Sequence, residues 1–125
     1  EMKPEDIDYI NLHGTGTQAN DLMEARAVYN IFGAKVPASS TKPLTGHCLG
    51  AAASIETALC CRLLEKGTDK VFPHIYDGEY DEKLPKILLA DKSTKLGEVK
   101  TCLSTSFGFG GTNCAIVLRR KICTT

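Results

Sequence analysis

The chain has 125 residues, 42% apolar and 24% charged, with fifteen basic and fifteen acidic side chains that leave no net charge. That length suits one domain with a modest core, and the balanced charge gives no support to nucleic acid or an anionic membrane as a partner. No window is long and apolar enough to read as a transmembrane helix, and the termini are uninformative as targeting signals.

The six cysteines are Cys48, Cys60, Cys61, Cys102, Cys114 and Cys123. Cys60 and Cys61 are neighbours in a helical pattern and the others lie in apolar runs, so they are read as free thiols acting as small buried hydrophobes. No C-x-x-C pair offers a structural zinc site. A reducing compartment is expected, most simply the cytoplasm. Beginning at Glu1, with a strand pattern already at Ile7, the chain reads as a piece of something larger.

Ile7 to Leu12 reads as a strand ending at His13, followed by the glycine loop Gly14-Thr15-Gly16-Thr17. Asp21 and Glu24 have the spacing of a capping box, and Leu22, Ala25, Tyr29 and Phe32 recur at helical spacing before Gly33 stops the helix. Lys35 to Thr41 is a short extended segment ended by Pro43, which pushes Lys42 out of helical geometry and onto the connection. Thr45-Gly46-His47 then opens a second helix, with Ile55, Leu59 and Leu63 on one face, Ala52, Ala53 and Ala58 broadening it, and Lys66-Gly67 as its end. Between Val71 and Glu98 prolines, Gly78 and alternating charges break the pattern, and only Ile87-Leu88-Leu89 looks like a strand. His74 reads there as an exposed loop residue. Val99 to Ser106, a glycine loop over Phe107 to Gly111, and Cys114 to Leu118 form an antiparallel hairpin.

These elements predict an α/β layer with a mixed five-stranded sheet and helices packed on it. Ligands in such folds collect outside the carboxyl ends of the parallel strands, and a right-handed crossover would bring His13 and His47 to one sheet edge. Two imidazoles there could move protons, hold a metal or donate to a developing oxyanion. A metal wants a third ligand, which only Asp21 or Glu56 could supply, and no metal or cofactor is expected. Gly14 to Ala19 satisfies the dinucleotide fingerprint G-x-G-x-x-G/A, but the acid expected at the end of the second strand is missing and the first strand is polar for a buried parallel one. Glu56, on the second helix, needs a partner if it is buried, and Lys42 is the candidate. In Ser106 to Asn113, glycines let backbone N–H groups approach a ligand, with Phe107 and Phe109 as anchors or a gate.

The chain resembles the C-terminal half of a β-ketoacyl-acyl carrier protein synthase, one of the condensing enzymes. The resemblance rests on His13-Gly14-Thr15-Gly16-Thr17 with Asp21, on Lys42 through Gly46-His47-Cys48-Leu49-Gly50-Ala51-Ala52 with Glu56, and on Phe107-Gly108-Phe109-Gly110-Gly111-Thr112-Asn113. It implies one half of a thiolase-like fold, with residues 1–125 as the synthase's C-terminal domain. It further implies decarboxylative Claisen condensation of an acyl thioester with malonyl-acyl carrier protein, in fatty acid or polyketide synthesis. By that resemblance His13 and His47 would hydrogen-bond the malonyl thioester carbonyl and stabilise the enolate. Lys42 with Glu56 would position His47, and the Phe109 N–H would serve the acyl oxyanion while its ring gates the pocket. Thr15, Thr17, Phe107, Gly108 and Gly110 would bind substrate or gate, and Asp21 and Asn113 would support the loops.

The family's nucleophilic cysteine lies in its N-terminal half, at a strand-to-helix elbow, and none of the six cysteines here has that setting; Cys48 matches a packing position. The chain alone is therefore expected to be inactive, to work with the missing half, to bind an acyl carrier protein, and to be homodimeric in the full protein. Isolated, it is expected to self-associate through uncovered apolar surface. A non-catalytic subunit like a chain-length factor, and a dinucleotide-binding module, are the alternatives.

Overall fold

The computed structural model describes residues 1–121; Cys123 lies outside them. The chain orders a 3-10 turn at Pro4–Asp6, β1 (Tyr9–Asn11), α1 (Gln18–Phe32), β2 (Ala38–Ser39), α2 (Lys42–Thr45), a 3-10 turn at Leu49–Ala51, α3 (Ala52–Lys66), β3 (Thr101–Phe107) and β4 (Asn113–Arg119). The sheet has four strands in the order β2-β1-β3-β4. β1 pairs parallel with both β2 and β3, through Ile10↔Ala38 and Ile10↔Leu103. The β3–β4 hairpin pairs antiparallel from Thr101↔Arg119 to Phe107↔Asn113.

The expected fifth strand is reduced to one parallel bridge, Ala38↔Leu89. Ala38 donates to Leu88 and Ala90 donates back to Ala38, but Pro85 and the charged residues around it leave too little extended chain for a ladder. The mixed sheet itself is as expected.

Adjacent strand residues point to opposite faces, and this pleat divides the core in two. On one face Tyr9 and Cys102 pack with Cys60, Leu63 and Leu64 of α3. On the other, Ile10 and Leu103 pack with Val28 of α1. The two helices therefore cover opposite faces of the sheet, and each buried Leu or Val contributes about 1.5–3 kcal/mol. β1, polar in sequence as Tyr-Ile-Asn, is wholly buried. Two of its polar groups find partners inside: Tyr9 Oη lies 2.6 Å from Ser39 Oγ, and Asn11 Nδ2 donates to Thr41 Oγ1 at 3.5 Å, while Asn11 Oδ1 has no partner among the described residues.

Several local expectations are revised. α1 begins at Gln18, with Thr17 as its N-cap, so Asp21 lies within the first turn and the capping box does not form. Its buried residues are Glu24, Ala25 and Val28, and Tyr29 is exposed. Lys42 is not on an extended connection but is the first residue of α2, with Pro43 next, where a missing N–H costs nothing. His47 does not open α3: Gly46, at φ 73°, ends α2, and His47 lies in the link before the 3-10 turn. On α3 the buried stripe runs through Ala52, Glu56, Cys60, Leu63 and Leu64, while Ala58 is exposed. Gly33 and Gly67 do end their helices, both at positive φ. Cys60 and Cys102 are buried, as expected of small hydrophobes, but Cys48, Cys61 and Cys114 are exposed. His74 is half-buried, its Nδ1 accepting from the Ser40 N–H at 3.0 Å.

Among the described residues no helix is long and apolar enough to cross a membrane.

Candidate functional site

The three parallel strands share one direction, so their carboxyl ends meet at one edge, and each delivers a part of the site. His13 follows β1, Lys42 follows β2, and Phe107 ends β3. His47 reaches the same place from the α2–α3 link. The His13 and His47 rings stand edge-on, centroids 5.5 Å apart with 90° between planes, and His13 makes a like contact with Phe107 at 5.8 Å. In front of them an open cleft of about 660 Å³ is lined by both histidines, Thr15, Thr17, Phe107, Gly108 and Phe109, with Ala52 and Ala53 as its floor.

The expected Lys42–Glu56 pair forms. Lys42 Nζ donates to Glu56 Oε1, and the side chains are 6% and 1% exposed. Its direction differs from the expectation, because the ammonium reaches His13: Nζ lies 3.4 Å from His13 Nδ1. No hydrogen bond joins Lys42 or Glu56 to His47 among the described residues. α3 starts beyond His47 and carries Glu56 down into the core, away from the link that holds the second histidine.

An ammonium has hydrogens to give and no lone pair to offer. With Lys42 facing Nδ1, that nitrogen is the acceptor and the hydrogen of neutral His13 sits on Nε2. Burial, then the Lys42 charge, then that of His47 hold the His13 pKa below the ordinary histidine value, against the pull of the Phe107 backbone the other way. His13 is thus a neutral donor near pH 7.

The loop that carries His13 is fixed by Glu24, whose spacing from Asp21 predicts a capping box. Glu24, 3% exposed, accepts from the backbone N–H of His13 and of Gly14, both at 2.8 Å, and from the Thr105 hydroxyl at 2.8 Å. Asn20 adds a weaker bond at 3.4 Å. Burial raises the Glu24 pKa, and these donors oppose the rise. A charge on the apolar side of α1, four residues from Val28, was the available signal. The same bonds bear on the dinucleotide alternative: the Gly14 N–H, which a pyrophosphate would need, is taken by the protein's own carboxylate.

The remaining residues divide. Thr15 and Thr17 hydrogen-bond each other at 3.1 Å on the rim of the cleft. Phe109 projects fully into solvent from the hairpin loop, between Gly108 and the positive-φ Gly110. Asn113 pairs with Phe107 at the hairpin's end and is exposed. Asp21 faces away from the cleft, lining a separate small cavity beside His74. No group of three or more His, Cys, Asp or Glu side chains able to hold a metal occurs among the described residues. Cys114 lines the cleft, but no hydrogen bond joins its Sγ to either histidine there.

Comparison with known proteins places the chain in a family. The family model described as "Beta-ketoacyl synthase, C-terminal domain" matches residues 1–75. The chain is 41% identical to 3-oxoacyl-[acyl-carrier-protein] synthase 1 of Haemophilus influenzae over 115 residues, 91% of this chain and 28% of that protein. Among solved structures it is similar to the complex of the ketosynthase ApeO with its chain length factor ApeC from Xenorhabdus doucetiae, at 40% identity and a TM-score of 0.88, covering 96% of this chain and 30% of that one. It is also similar to a ketosynthase bound to the hexaketide in complex with its type II polyketide acyl-carrier protein, at 31% identity and a TM-score of 0.82, covering 97% and 30%. The chain thus spans about three tenths of the length of these relatives. A thiolase-like α/β half, two histidines brought together at the carboxyl edge of its sheet and these likenesses lead to one conclusion: the chain belongs to the β-ketoacyl synthase family, as part of its C-terminal region.

Proposed function

We propose that this chain supplies the decarboxylating side of a condensing site, acting with an acyl-bearing cysteine outside these 125 residues. The observation that carries the reading is the neutral His13, held by Lys42 on Nδ1 and turned edge-on to His47 at the mouth of the cleft. Two imidazole N–H groups there can hydrogen-bond the carbonyl oxygen of a malonyl thioester. As carbon dioxide leaves, the electron pair of the broken C–C bond moves into that carbonyl, and the preplaced donors stabilise the enolate oxygen. The enolate carbon then attacks the acyl thioester on the cysteine, whose sulfur departs as thiolate. In the same reading the Phe109 N–H serves the oxyanion of acyl transfer and its exposed ring gates the acyl channel.

Lys42 and Glu56 hold His13, Thr15 and Thr17 meet the carrier-borne substrate on the rim, Phe107, Gly108 and Gly110 shape the gate, and Asp21 and Asn113 support the loops. The partner is an acyl carrier protein bearing malonyl or acyl phosphopantetheine; the carrier complex formed by one structural relative supports this. Residues 1–125 form one C-terminal domain of a homodimeric, cytoplasmic synthase of fatty acid or polyketide synthesis. A chain-length-factor-like subunit has no use for a lysine-held His13, which favours the enzymatic reading over it.

The test is malonyl-carrier decarboxylation by this chain joined to the family's nucleophile-bearing N-terminal region. His47→Ala should lower turnover on the order of 10²–10³-fold, the loss that follows removal of one oxyanion donor, while Cys114→Ala leaves it intact. Unchanged turnover in the His47 variant would sink the assignment.

A further inference from the structure

His74 lies in the proline-broken excursion between α3 and β3, outside the cleft, yet its contacts lead to both sides of His13. Its backbone N–H donates to Ala90 O at 2.7 Å, and its ring rests on Tyr76 with centroids 5.3 Å apart, so the imidazole is anchored. Nδ1 accepts from the Ser40 N–H at 3.0 Å. Ser40, 1% exposed, then bonds in two directions: its hydroxyl donates to Gly14 O at 3.1 Å and accepts from the Lys42 N–H at 3.3 Å. Gly14 follows His13 in the chain, and Lys42 holds His13 Nδ1. The two branches from Ser40 close on one imidazole. There is no slack at their junction, since a Cβ at Gly14 would fall 2.4 Å from Ser40 Cβ.

We infer that His74 is a positioning residue for His13 and Lys42, acting through Ser40, and that it does so only while Nδ1 is unprotonated. The inference gives a role in the proposed reaction to a residue outside the cleft, and in that respect rests on the proposed function; the contact network itself does not. A protonated Nδ1 would present a hydrogen to the Ser40 N–H, donor against donor, and the Ser40 backbone would have to move. The groups around the ring are Asp21 and Glu24 from α1, with Tyr80, all lining a cavity of about 120 Å³ beside it, and the tilted ring of Tyr76. Asp21 favours the protonated ring, but burial outweighs it and holds the pKa below the ordinary value. The ring is therefore neutral near pH 7, and the strut is lost only as pH falls through that lowered pKa.

Two measurements test this. In the full chain, the Ser40 and Lys42 amide resonances are followed against pH together with the His74 ring nitrogens. Both amides should titrate with His74. His74→Asn, whose Oδ1 replaces Nδ1 as acceptor, should keep the Ser40 amide protected from exchange and make it independent of pH, while His74→Leu should lose the protection. Amides that ignore His74, or an Asn variant that behaves like Leu, would overturn the inference. In the chain joined to the nucleophile-bearing region, His74→Leu should lower kcat for decarboxylation on the order of tenfold or more with KM nearly unchanged, as misplaced catalytic groups do. His74→Asn should restore kcat and remove part of the acid limb of the pH profile. Amide coupling without any His47-dependent decarboxylation would refute the proposed reaction and leave the strut standing; His47-dependent turnover without the coupling would do the reverse.

Discussion

Replacing Lys42 by Met tests the buried ion pair on which His13 depends. Glu56 is 1% exposed, Oε1 is bonded to Lys42, and Oε2 has no hydrogen-bond partner among the described residues. Lys42→Met keeps the volume of the stem and strands the carboxylate, for which breaking a buried pair costs about 3–5 kcal/mol. Against a total stability of about 5–15 kcal/mol that is a large fraction. With a urea slope of about 2 kcal/mol/M the midpoint should fall by about 2 M. Lys42→Met with Glu56→Leu removes both charges and should recover most of the loss, because the desolvation penalty goes with them. In the double variant the Lys42 charge no longer depresses His13, so the His13 pKa, followed by NMR, should rise while burial continues to hold it down. A loss under about 1 kcal/mol in the single variant, or simple additivity of the two substitutions, would show that the pair does not stabilise the buried carboxylate.

The other expectations concern the loops. Glu24→Gln puts an amide NH₂ against one of two backbone donors and should cost about 1–3 kcal/mol in urea unfolding. Because the Glu24 pKa is raised on folding, the wild type's advantage over Gln should be full below the unfolded carboxylate value and shrink as pH rises through the folded one; an advantage that grows with pH would contradict this. Gly14→Ala, at φ +46° with Ser40 against it, should cost about 2–5 kcal/mol from left-handed strain plus overpacking. Gly16→Ala, at φ +74° with nothing within 4 Å, is its control and should cost only about 1–2 kcal/mol. Leu49 holds a left-handed φ of 48° while 72% exposed, so Leu49→Gly should leave thermal stability unchanged or raise it by up to about 1 kcal/mol; a clear loss would show that its side chain matters more than its strain.

What the sequence disclosed follows from the range over which each signal acts. The β3–β4 hairpin, the glycine ends of both long helices and the convergence of His13 with His47 rest on local pattern and topology, and they hold. The Lys42–Glu56 pair was legible because Glu56 is a lone acid among small and apolar residues. Which histidine the pair serves was not, since that depends on α3 starting after His47 and not at it. Asp21 and Glu24 satisfy the short-range rule of a capping box, while the donors to Glu24 come from the loop after β1 and from β3. His74 was hidden for the same reason: Pro73 marks a break in periodicity, and nothing nearby in sequence announces the Ser40 amide that the ring meets.

The position of β1 also bears on how the molecule comes together. The strand that leads to His13 is the inner strand of the parallel set, and Asp8 is tied to the Thr101 N–H across 93 residues of chain. Its hydrophobic partners on β3 do not yet exist when β1 leaves the ribosome. The hairpin can close locally within microseconds, but the β1–β3 pairing must wait for it and then bear the entropy of a long loop. The β1–β3 seam beside His13 therefore closes only once the later hairpin is made, and any defect in that hairpin leaves one side of the strand unpaired.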